Sequence, residues 1–141
     1  MIRTASSRGS SMIVKSVLAL VFTAALAALT PACAADLIES YNAFLSHADH
    51  YNSYGVRLTT AAAIIRQDRA NFHKYGDQDD QDENDNYFDN VNNRALLEEM
   101  ISDGTSDPGV LRRIVNSNVM IHVDVYRSRH HGDYVIVTLM D

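Results

Sequence analysis

Two hydrophobic periods divide the chain. From Val119 onward the period is two. Val119, Ile121, Val123 and Val125 alternate with Met120, His122, Asp124 and Tyr126, and a second alternating run, Tyr134 to Met140, follows Gly132. Alternation of this kind predicts a β-hairpin with one buried face. With His130-His131-Gly132 as a three-residue loop and Gly132 in the left-handed position, Val125 faces Val137 and Val123 faces Leu139. The opposite face then pairs Tyr126 with Ile136 and His122 with Met140, so it is half apolar as well.

Ahead of the hairpin, apolar residues recur at spacings of three and four, which predicts helices. Leu37, Ile38, Tyr41, Phe44, Leu45 and Ala48 make one such face, a first helix of about three turns. The polar stretch Asp49 to Gly55 ends it in a turn, and Val56 to Leu58 is at most a short extended piece. A second helix runs from about Thr60 to Tyr75, capped by a threonine hydroxyl and closed by a left-handed Gly76. Its stripe of Ala61, Ile64, Ile65, Phe72 and Tyr75 is about 80° wide, with Asp68 at the centre. A third helix starts at Asn92 or Asn93, buries Leu96, Leu97, Met100 and Ile101, and stops at Gly104; a fourth has Asp107 as cap and Pro108 in its first turn, and packs Val110, Leu111, Ile114 and Val115. The expectation is an α+β fold: about four short helices followed by a C-terminal antiparallel β-hairpin, in a single small domain over residues 35–141.

Residues 1–34 read as a cleavable export signal. Arg3, Arg8 and Lys15 precede an apolar run, Val17 to Leu29, that is shorter than the roughly 20 residues needed to span a bilayer. Pro31 breaks the run, and Ala32-Cys33-Ala34 presents small residues for cleavage before Ala35 or Asp36. Counted from Met12 the signal has the more usual length, so the start is Met1 or Met12. The rival is a lipoprotein anchored through Cys33, which Thr30 and Pro31 fit poorly. Localisation is therefore expected to be periplasmic or secreted.

Processing changes the charge picture. It removes three of the 12 basic residues and no acid, leaving nine against 18 and a net charge of −9. Such a surface repels phosphate backbones and anionic lipid, which argues against nucleic acid and, once the signal is gone, against a membrane as partner. The single cysteine leaves with the signal, so disulfide, thiol and cysteine-metal chemistry are not expected.

Candidate chemistry is sparse. Asp68, a carboxylate inside an apolar stripe, must be paired, hydrogen-bonded or protonated; it is either a brace or a general acid or base with a raised pKa. Arg66, Arg69 and His73 fall within about 60° on another face of the same helix, where with Asp68 they could cradle an anionic ligand. Residues 77–93 form a loop with seven acids and no base before Arg94. Its Asp77, Asp79, Asp80, Asp82, Glu83 and Asp85 offer oxygens to calcium. The EF-hand template fails, however: from Asp77 its sixth and twelfth positions are Asp82 and Phe88, and from Asp80 they are Asp85 and Val91, where glycine and glutamate are required. A solvated acidic loop tacked down by Tyr87 and Phe88 is the plainer reading. His47 and His50, and His130 with His131, lack zinc-motif spacing, and no nucleophile elbow, Walker loop or dinucleotide fingerprint occurs. No cofactor is implied.

The functional expectation is an exported envelope accessory or protein-interaction domain without catalytic activity, meeting a protein partner at the hairpin edge with Tyr126, Tyr134 and Ile136 as candidate surface. The alternatives are a small hydrolase or anionic-ligand-binding domain using Asp68 with Arg66, Arg69 and His73, and a calcium-dependent module built on the acidic loop.

Overall fold

The computed structural model describes residues 35–130 and 132–140. The signal expected over residues 1–34 lies outside the described residues. The fold is α+β, with four short helices packed on one face of a three-stranded antiparallel sheet. The strands are β1 (Asp36–Leu45), β2 (Val119–Ser128) and β3 (Gly132–Leu139), in the order β1-β2-β3. The helices are α1 (Ala61–Ala70), continued by a π-helical turn (Asn71–Tyr75), then α2 (Val91–Ala95), α3 (Leu97–Asp103) and α4 (Pro108–Asn116). No described helix is long and apolar enough to cross a membrane.

The first predicted helix is a strand. Its segment carries both periods at once, since Tyr41, Ala43 and Leu45 alternate with Asn42 and Phe44. Pairing with the whole of β2 decides between them. The register runs from Asp36 opposite Arg127 to Leu45 opposite Val119, with one shift between Leu37 and Glu39. That bulge at Ile38 leaves Leu37 opposite Tyr126 on the outer face, while Tyr41, Ala43 and Leu45 are buried inside.

The hairpin forms two residues away from the predicted register. Val123 faces Val137 and Val125 faces Val135, and Ser128 lies opposite Gly132, which is at φ 80°. Because the slip is even, every side chain keeps its predicted face. Val119, Ile121, Val123, Val125, Val135 and Val137 are buried. On the outer face Tyr126 pairs with Tyr134, Asp124 with Ile136 and His122 with Thr138.

Local capping signals hold where they are strongest. The Thr60 hydroxyl accepts the Ala63 N–H at 3.2 Å, the Asp107 carboxylate accepts the Gly109 N–H at 2.6 Å, and Gly76 closes the π turn at φ 68°. Asn90, two residues before the predicted cap, starts α2 through a 2.9 Å bond from the Asn92 N–H. The predicted third helix breaks at Leu96 into α2 and α3, which turns Leu96 outward, 48% exposed, while Leu97, Met100 and Ile101 stay buried. Tyr75 is also carried out of the α1 stripe by the π turn. Gly104 does end α3, but in an extended rather than left-handed conformation; a Cβ there would collide with the Val135 carbonyl. Helix end and strand edge are thus in direct contact, with Ser106 Oγ accepting the Val137 N–H at 2.9 Å. The middle of the hairpin edge, read from sequence as open to a partner strand, is occupied by the Gly104–Ser106 segment.

Candidate functional site

Asp68 and Arg69 sit together in the core, 2% and 0% exposed. Arg69 Nε donates to Asp68 Oδ2 at 2.7 Å, and Nη1 donates to Asp85 Oδ2 at 3.1 Å and to the Glu83 carbonyl at 3.0 Å. The guanidinium lies between two rings, 4.5 Å from the centroid of Tyr41 and 4.7 Å from that of Phe72. A buried cation is tolerable only with such partners, and here they come from α1, β1 and the acidic loop. His73 adds a 2.8 Å contact to Asp85 through Nε2. Burial pushes the Asp68 carboxyl up to about 7, against the opposing pull of Arg69. Burial opposes the charge on Arg69, but Asp68 and Asp85 hold it charged, and burial drives the Tyr41 hydroxyl well above its ordinary range, so that it stays neutral.

The loop that reads as a string of calcium ligands is divided by the fold. Asp82, Glu83 and Asp85 bond to the rest of the fold, Asp85 buried, Asp82 half-buried and Glu83 exposed. Asp82 Oδ1 accepts the Phe44 N–H at 2.8 Å and Oδ2 accepts the Asp79 N–H at 2.9 Å. Glu83 pairs twice with Asn42, its N–H donating to the Asn42 carbonyl and its carboxylate accepting the Asn42 N–H, both at 2.9 Å. Asp85 Oδ1 accepts the Phe88 N–H at 2.6 Å, which seats Phe88 in the core. The carboxylates therefore stand in for a neighbouring strand along the outer edge of β1. Asp77 and Asp80 are exposed and Asp79 is half-buried; among the described residues no cluster of three His, Cys, Asp or Glu side chains could hold a metal.

A second polar buried unit lies at the end of β1. The Asp49 carboxylate accepts the Ser46 N–H and the Asn71 amide, each at 2.8 Å, and burial raises its pKa. The two ring nitrogens of His50 lie 2.8 Å from the carbonyls of Ser46 and Ile114, tying this corner to α4. These partners, and Arg69 for Asp68, were not legible from periodicity, because they are set by which elements meet.

The predicted ligand-binding quartet is split. Asp68, Arg69 and His73 face the core network, whereas Arg66 is exposed on the other side of α1. The predicted interaction residues do come together. Tyr126 and Tyr134 stack with centroids 5.3 Å apart and planes 15° apart, beside Ile136, all partly exposed on the outer sheet face.

Next to them is a polar cluster that the sequence reading missed, because it assigned Ser40 and Asn42 to a helix. Ser40 Oγ donates to Asp124 Oδ1 at 2.6 Å; His122 Nε2 lies 3.1 Å from both of these oxygens, and His122 Nδ1 lies 2.7 Å from Asn42 Oδ1. The alternation of Ser40 and Asn42 with Tyr41 and Ala43 was the available signal. Serine, histidine and aspartate are present, but not as a relay: carboxylate and hydroxyl share one ring nitrogen, and the serine proton goes to the carboxylate.

Compared with known proteins, the chain matches no family, no curated protein and no solved structure.

Proposed function

We propose that the chain is an exported, non-catalytic interaction domain that engages a protein partner on the outer face of its sheet. The observation supporting this reading is the stacked Tyr126–Tyr134 pair on that face, flanked by Ile136 and by the hydrogen-bonding row of Ser40, Asp124, His122 and Asn42, while the core helices pack on the opposite face. Tyrosines offer a large, rigid, amphipathic contact area at little entropic cost, and polar neighbours supply register. The edge of β3 is a poorer site, since Gly104–Ser106 already lies against its middle.

Catalysis at Asp68 has less support. A general acid or base must reach its substrate within about 3 Å, and Asp68 is enclosed with Arg69 as its immediate partner.

Two measurements test the reading. Capture from a cell-envelope extract, with wild type and a Tyr126→Ala/Tyr134→Ala variant, should recover a partner with the first and lose it with the second; equal recovery would remove the outer face from the proposal. Intact mass of the exported form should place its first residue at Ala35 or Asp36. An acylated Cys33 at the N-terminus would instead anchor the domain to a membrane.

A further inference from the structure

We propose that the groove between α1 and α2 binds a small carboxylate with an apolar body, held at its charged end by Arg66, Lys74 and Arg94. The proposal is independent of the sheet-face reading and keeps only Arg66 of the predicted quartet, joining it to Lys74 and Arg94.

The groove encloses about 280 Å³, close to the lower end of small-molecule sites. One wall is the ridge of Arg66, Ala70 and Lys74, and the other is formed by Val91, Arg94 and Ala95. Three cations therefore face one space in a domain whose acids outnumber its bases two to one. Among the described residues, no carboxylate lies within 4.0 Å of any of them.

Arg94 carries the argument furthest. It is 7% exposed, and its Nη1 donates only to neutral acceptors, the carbonyls of Phe88 and Asp89. Buried guanidinium groups are ordinarily paired with an anion, as Arg69 is by Asp68 and Asp85. Here two carbonyls fix the orientation of the group and leave its charge uncompensated.

The end of the groove is polar and organised. Lys74 Nζ lies 4.7 Å from the centroid of the Tyr75 ring, and Ser53 lines the groove with them. The π turn that carries Lys74 and Tyr75 sets this arrangement, because a continued α-helix would rotate both away. Planar guanidinium matches a carboxylate by paired N–H bonds, and the methyls of Ala70, Val91 and Ala95 suit an apolar body.

The test is a titration of the purified protein with benzoate, followed by ¹⁵N–¹H NMR, with benzamide and inorganic phosphate as comparisons. Benzoate should bind saturably with a dissociation constant of about 1 mM or less. The shifted amides should fall within residues 66–75 and 91–95. Benzamide, equal in shape and uncharged, should bind at least about tenfold more weakly, and so should benzoate to an Arg66→Gln/Lys74→Gln variant. Both substituted residues are exposed, so the variant should keep the wild-type thermal melt. Non-saturating shifts, shifts elsewhere, or equal binding of benzamide would overturn the site. Phosphate binding as tightly as benzoate would overturn the apolar body.

Discussion

Asp82 accepts the backbone N–H of Phe44 at 2.8 Å, so a loop carboxylate occupies the place that a neighbouring strand would take. With Glu83 on Asn42 and Asp85 on Arg69, it makes residues 82–85 a latch on the sheet rather than a solvated tail.

The latch has a measurable consequence. Asp85→Ala removes one of the two carboxylates that bond a fully buried guanidinium and the cap of the Phe88 turn, and should cost about 3–5 kcal/mol, a large share of the ~5–15 kcal/mol typical of a domain. Asp80→Ala, at an exposed position, should change stability by less than about 0.5 kcal/mol. Urea melts of the two variants check the contrast, and equal effects would return the loop to solvent.

The same spending of oxygens predicts that the loop takes no calcium tightly. Calorimetry at about 0.15 M salt should show weak, similar heats for calcium and magnesium. A stoichiometric calcium isotherm with a dissociation constant below about 10 micromolar, absent with magnesium, would make the loop the functional site instead.

Asp68 should make the protein less stable as the medium becomes less acidic. Its folded pKa, about 7, lies above the ordinary carboxylate value of 3.8, so between them the folded state binds more protons than the unfolded one. The stability it contributes is complete below pH ~4 and lost as pH rises through ~7, and Asp49, also raised by burial, acts in the same sense. Asp68→Asn should flatten this decline, measured as unfolding free energy at pH 5 and pH 8. A variant that declines as steeply as wild type would show that Asp68 is ionised throughout.

The two faces of β2 should respond oppositely to substitution. Val123→Asp places an unpaired charge at a fully buried position and should unfold the domain. Tyr126→Ser loses only a partly exposed stack, about 0.5–1.5 kcal/mol. The reverse order in thermal melts would mean that the face assignment is inverted.

His50→Ala should cost about 1–3 kcal/mol, since the carbonyls of Ser46 and Ile114 would both lose the ring they now face. Unchanged stability in urea would show that water replaces the ring at no cost.

What could be read from the sequence was local. Thr60, Asp107 with Pro108, and Gly76 mark helix ends by chemistry acting within four residues, and each does so in the structure. The alternation after Val119 gave the faces of the hairpin, although the loop begins one residue earlier than read. β1 was misread because its ten residues satisfy two periods, and the partner that chooses between them lies some eighty residues away. For the same reason the position of Asp68 called for a partner, whether as a brace or as an acid or base, but did not name the network's members: Tyr41, Asp82 and Asp85 come from elements whose contact no periodicity encodes. Arg69 was drawn on another helix face, yet its long side chain reaches back to its neighbour.

Gly104 and Asp82 lie on opposite margins of the sheet, and each seals one with a segment of the same chain. Uncovered strand rims are templates for pairing with other chains, so a chain in which those segments were undocked would offer two such rims. Docking of the loop and of the α3 terminus therefore removes the two rims along which the sheet could be extended. A side chain introduced at Gly104 would harm the yield of the protein more than its shape, because the rim it reopens belongs to the β-branched strand that holds Val135 and Val137.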